Sequence, residues 1–119
     1  MSKICTSIEQ SEKLLELGID INTADMWWNC RGAICAPLMY CEYPTCEKRT
    51  EKDIPAWSIA ALLSVLPKGT NIIKEEADTE DEQYMCTVGT KDDIISTFGN
   101  NPVDACYEMI LKLHELNVL

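Results

Sequence analysis

The chain has 119 residues, with 20 acidic against 10 basic side chains for a formal net charge of −10, and 46% of its residues are apolar. That is enough for one domain with a buried core, too short for two, and too hydrophobic for a disordered chain. A surface that grips nucleic-acid phosphates or an anionic membrane needs Lys and Arg, so the charge argues against both.

Residues 1–6 contain no long apolar segment, and no later run approaches the ~18 consecutive apolar residues of a spanning helix, so a cytoplasmic protein is expected. Seven cysteines (Cys5, Cys30, Cys35, Cys41, Cys46, Cys86 and Cys106) are an odd number without a secretion signal. They read as reduced thiols. Thr6-Ser7-Ile8-Glu9 matches a capping box, in which the hydroxyl and the carboxylate satisfy each other's backbone amides. A helix is therefore predicted over about residues 7–17, with Ile8, Leu14 and Leu15 on its buried side and Gly18-Ile19 as a left-handed stop. Residues 24–28 and 38–43 are short aromatic and apolar runs, read as two strands with an irregular connection through Asn29, Gly32 and Pro37. A polar loop follows from Pro44 to Asp53.

Ser58 is the natural N-cap of a second helix, which puts Trp57 and Leu62 at the spacing of a hydrophobic staple. Ile59, Leu62, Leu63 and Leu66 form its apolar stripe, and Pro67 stops it. Residues 71–75 and 83–88 flank an acidic stretch and predict a hairpin, with Tyr84, Cys86 and Val88 on one face. Residues 94–98 are a further strand or a short helical turn. Asn101-Pro102 opens a third helix, with Asp104 in its first turn and a stripe of Val103, Cys106, Met109, Ile110, Leu113 and Leu116. The order α-β-β-α-β-β-(β)-α predicts an α+β fold in one domain over residues 1–119, an antiparallel or mixed sheet of four to five strands covered by three helices.

Four stretches taken together carry a resemblance: Thr6 to Gly18, Thr23-Ala24-Asp25-Met26, Asp53-Ile54-Pro55-Ala56-Trp57-Ser58, and Asn101 to Met109. They resemble a family of small uncharacterised proteins from phages and mobile elements of gut bacteria, and the Ile-Pro-Ala-Trp-Ser block is the most specific part. The resemblance implies a cytosolic accessory protein of a mobile element. It brings no catalytic residues, and the stretch from Cys30 to Cys46 falls where the family is expected to vary.

Each candidate site has a plain structural alternative. Cys30, Cys35, Cys41 and Cys46 could complete a tetrahedral zinc site, but none of the spacings is the tight C-x2-C knuckle that aims two sulfurs at one point. Scattered buried thiols are the competing reading. His114, the only histidine, lies near the end of the third helix, where an imidazole favours the terminal carbonyls more readily than it serves a nucleophile. Glu75, Glu76, Asp78, Glu80, Asp81 and Glu82 concentrate six carboxylates at one hairpin tip. They fit a solvated loop, or a mimic of nucleic-acid phosphates that would inhibit a nucleic-acid-binding enzyme. Adjacent Trp27 and Trp28 must point to opposite faces of a strand, so one of them, near Tyr40 and Tyr43, could be an exposed contact residue. No phosphate-binding glycine motif is present.

The expectation is a non-enzymatic protein-protein interaction module, using an exposed aromatic face or the acidic hairpin to engage another protein or a second copy of itself. The phosphate mimic and a zinc-stabilised module through Cys30, Cys35, Cys41 and Cys46 are the alternatives. No catalytic residue, cofactor or resident metal is assigned, and neither nucleic acid nor membrane is an expected partner.

Overall fold

The structure is a computed structural model that describes residues 3–31, 34–39, 54–75 and 83–119, with 29–31 and 34–39 described by their backbone. Its elements are helix α1 (Ile8–Glu16), a 3-10 turn (Ile21–Thr23), strands β1 (Met26–Arg31), β2 (Ile34–Met39) and β3 (Ile54–Ala56), helix α2 (Ile59–Val65), strands β4 (Asn71–Glu75), β5 (Gln83–Gly89) and β6 (Ile94–Gly99), and helix α3 (Pro102–Glu115).

The fold is α+β with three helices, as expected, but the expected single sheet of four to five strands is not what forms. Two antiparallel sheets of three strands each are present among the described residues, in the orders β2-β1-β3 and β4-β5-β6. Two prolines lie in the first sheet. Pro37 reads in the sequence as part of an irregular connection, yet both it and Pro55 lie within strands, opposite Trp28 and Trp27 of β1 respectively. A proline lacks the ladder donor and is tolerated on an edge strand, and β2 and β3 are the two edges of this sheet. Among the described residues β4, β5 and β6 pair only with one another.

The local signals place the helices well. Ser58 caps α2, accepting from the Ala61 amide, and Trp57 and Leu62 of the staple share one buried cluster. Asn101 caps α3 through the Asp104 amide, with Pro102 in the first turn. Gly18, at φ +89°, ends α1, and the Ile19 amide reaches back to the Leu14 carbonyl at 3.1 Å. At the start of α1 the capping box is shifted by one residue: Ser7 and Gln10 form it, not Thr6 and Glu9. The Thr6 hydroxyl is unavailable because it is buried, 2.7 Å from the Ser11 hydroxyl and accepting from the Trp57 amide at 3.1 Å. Three leucines of the expected stripes, Leu15, Leu63 and Leu116, are exposed, and Ala61 and Ala105 are buried instead.

One apolar cluster joins the helices and the second sheet: Leu14 of α1, Trp57, Leu62 and Leu66 around α2, Cys86 and Val88 of β5, and Val103, Cys106, Met109, Ile110 and Leu113 of α3. Burying such side chains is the main driving term of the fold. A smaller cluster of Cys5, Met26 and Ala56, with Trp28 against it, lies on one face of β1. The N-terminal segment covers that face. Cys5 bridges to Ser58, the Thr6 amide donates to the Trp57 carbonyl at 2.9 Å, and the Trp28 indole donates to the Thr6 carbonyl at 2.9 Å.

Candidate interaction surface

In the β4-β5-β6 sheet the period of two divides the side chains cleanly. Ile72, Tyr84, Cys86, Val88 and Ile95 point inward to the core, and Thr97 does the same, donating to the Ala105 carbonyl of α3 at 2.8 Å. The alternate residues point outward. Register sets Ile73 opposite Met85 and Met85 opposite Phe98, so these three make one apolar row across all three strands. Ile73 is 47% and Phe98 48% exposed, Met85 is half-buried between them, and Ile94 at the start of β6 is 68% exposed. Asn71, Thr87 and Ser96 form the neighbouring polar row on the same face. Such a row on an open sheet face is surface that folding leaves in water and that association would remove from it.

The ends of this face are acidic. Glu75 closes β4, and Asp92 and Asp93, both exposed, sit in the turn between β5 and β6. In that turn the Thr90 amide donates to the Asp93 carbonyl at 2.7 Å, and the Ile94 amide is held by the Asp93 carboxylate at 2.8 Å.

Neither Trp27 nor Trp28 is the exposed aromatic that was expected. Trp27 is 2% exposed, and Trp28 is half-buried with its indole N–H bonded. Trp57 is fully buried and donates to the Thr23 hydroxyl at 2.9 Å. Phe98, which the sequence reading passed over, is the exposed aromatic on the sheet. The signal for it was present. Ile72-Ile73 and Ile94-Ile95 are adjacent apolar pairs in strands, so one member of each must face away from the core by the same rule applied to the tryptophans.

His114 lies in the last turn of α3, half-buried, and its carbonyl accepts from the Leu116 and Asn117 amides. The side chains of Cys30 and Cys35, and all of Cys41 and Cys46, lie outside the described residues, although the backbones of Cys30 and Cys35 are opposite each other in the β1-β2 hairpin. Among the described residues no three metal-binding side chains gather at one point. Tyr40 and Tyr43, and of the acidic run Glu76, Asp78, Glu80, Asp81 and Glu82, also lie outside the described residues; Glu75 is on β4.

Three polar groupings inside the molecule are taken up by the fold. Asp25 accepts from both the amide and the hydroxyl of Ser58, which fixes the α2 cap and leaves that serine committed to structure. Cys86 and Cys106 meet at a sulfur-sulfur distance of 4.0 Å between β5 and α3, and the shared hydrogen bond and burial hold the Cys106 thiol well above its ordinary value, in the protonated form. Asp104 accepts from Lys3, Gln10 and Asn101 at 2.8 to 2.9 Å.

No protein-family model, curated protein or solved structure matches the chain. No helix among the described residues is long and apolar enough to cross a membrane.

Proposed function

We propose that the protein is a non-enzymatic interaction module that binds another protein through the outer face of β4-β5-β6. The observation that carries this reading is the apolar row Ile73-Met85-Phe98, set in register across a sheet whose opposite face is already packed on α3. An aromatic at the end of an apolar row, with a polar row beside it, has the composition of a contact patch and its rim. The buried polar groups, by contrast, are spent on caps and on tying the N-terminal segment down.

Site-specific photo-crosslinking tests the reading. A photoreactive phenylalanine analogue placed at Phe98 in cells producing the full chain is expected to give discrete adducts, abolished by Ile73→Glu. The same analogue at Glu12, on the exposed side of α1, is expected to give none. Equal adduct patterns from the two positions, or none from Phe98, would overturn it.

A further inference from the structure

We infer that the partner on this face is a second copy of the chain, joined through the edge of β6 that no other described strand occupies, so that two three-stranded sheets become one of six strands. The inference rests on the reading of the outer face as a contact surface and adds the occupant and its geometry.

The backbone states what the edge can accept. Because the Thr90 amide donates to the Asp93 carbonyl, the hydrogen-bonded pairs of the β5-β6 ladder alternate from that point: Val88 with Ile95, Cys86 with Thr97, Tyr84 with Gly99. The amides and carbonyls of Ile94, Ser96 and Phe98 therefore point away from β5, to the open side. The bond from the Ile94 amide to the Asp93 carboxylate fits this direction. Ser96 and Phe98 have no hydrogen-bond partner on that side among the described residues. A row of outward donors and acceptors is complemented by another strand edge.

The two edges of this sheet differ in protection. β4 carries Lys74 and Glu75, charges that discourage strand addition, whereas Ile94-Ile95-Ser96-Thr97-Phe98-Gly99 has neither a charge nor a proline. The β6 sequence is also self-complementary. An antiparallel pair must match residues of the same face, and centring the two-fold axis on Ser96 sets Ile94 opposite Phe98 of the other copy, Phe98 opposite its Ile94, and Ser96 opposite Ser96. These are the residues whose backbone groups point outward, so side-chain and hydrogen-bond registers agree. The apolar row then continues without a break from Ile73 through Met85 and Phe98 to Ile94 of the second copy. Charges are kept apart in the same register, because Asp93 falls opposite Gly99 and Asp92 opposite Asn100.

Each copy carries a net charge of −10, so the two repel at long range and screening should favour the dimer. A basic partner on the same face would show the opposite salt dependence. The test is sedimentation equilibrium of the full chain under reducing conditions, in about 0.1 M and about 1 M salt, between which the screening length falls from about 10 to about 3 Å. A monomer-dimer equilibrium that tightens with salt is expected. Ser96→Pro should weaken it roughly tenfold or more without changing the thermal melt, since the amide it removes is outside the ladder. Phe98→Glu, on a solvent-exposed side chain, should do the same if the proline variant does not fold. A monomer at every concentration and salt, or a dimer unchanged in both variants, overturns the inference. If the chain is monomeric while the photoreactive group at Phe98 captures a different protein, self-association is rejected and the interaction-surface reading stands.

Discussion

In the β2-β1-β3 sheet the neighbours Trp27 and Trp28 point to opposite faces and neither is left open, whereas in the β4-β5-β6 sheet the neighbours Ile72 and Ile73 point to opposite faces and only Ile72 is packed. The strand geometry is the same in both, so what differs is the chain available to lie across each sheet. Cys5 and Thr6 return over the first sheet and bond to Trp28, Trp57 and Ser58. On the second sheet α3 takes one face, and no described segment lies across the other. Alternation thus tells which residues leave the core, and long-range covering decides which of them meet water.

This contrast can be broken most directly by truncating one aromatic from each region. Trp57→Ala removes a side chain with no exposure from the centre of the main cluster, along with its bond to Thr23, and should cost about 3 to 5 kcal/mol of unfolding free energy in urea titration. Phe98→Ala should cost less than about 1 kcal/mol, the scale of a cross-strand pair with Met85. Comparable losses in the two variants would mean that the outer face of the second sheet is covered after all. The next effect tests how closely that sheet is held on its packed side. A Cβ added at Gly99, at the end of β6, would sit 2.6 Å from the Ala105 backbone nitrogen and 2.9 Å from the Asp104 Cβ. Backbone of a capped helix cannot move aside as a flexible side chain can, so Gly99→Ala should destabilise by about 1 to 3 kcal/mol, read from the same titration.

Local chemistry was legible in the sequence wherever it acts over a few residues. The caps at Ser58 and Asn101, the left-handed stop at Gly18, the β4-β5 pairing, and the shared inner face of Tyr84, Cys86 and Val88 all form as read. What could not be read depends on segments far apart. Thr6 looked like a cap because its spacing to Glu9 is right, but its hydroxyl is claimed by Trp57, 51 positions away. Pro37 looked like a break because a proline sits in a strand only at a sheet edge, and that β2 is an edge depends on the pairing of the whole sheet. The exposed aromatic was sought at the tryptophans because indoles dominate contact surfaces. Its true position required knowing which of the two sheets retains an uncovered face.

A further modest effect concerns the contact that ties the two regions together. Lys3 and Gln10 belong to the segment that covers the first sheet, Asp104 begins the helix that packs the second, and Lys3 and Asp104 are 2.9 Å apart with roughly a third of each side chain exposed. Partial burial pushes the Asp104 carboxyl up, but hydrogen bonds from Lys3, Gln10 and Asn101, with the Lys3 charge, outweigh it and hold the group below its ordinary value. A carboxyl whose pKa is lower folded than unfolded binds a proton more readily in the unfolded chain, so its contribution is whole above its unfolded value of about 4 and is lost as pH falls through the folded one. Asp104→Asn should therefore cost about 1 kcal/mol near pH 7, a modest figure because solvent screens the pair. Thermal melts of the two proteins should begin to converge as the pH drops below about 4, where the unfolded carboxyl takes up its proton, and should meet once the pH has fallen through the lower folded value. A gap that stayed constant down to pH about 3 would show that Asp104 acts through packing alone, and that the cluster shared by Leu14, Trp57 and α3 is what joins the two regions.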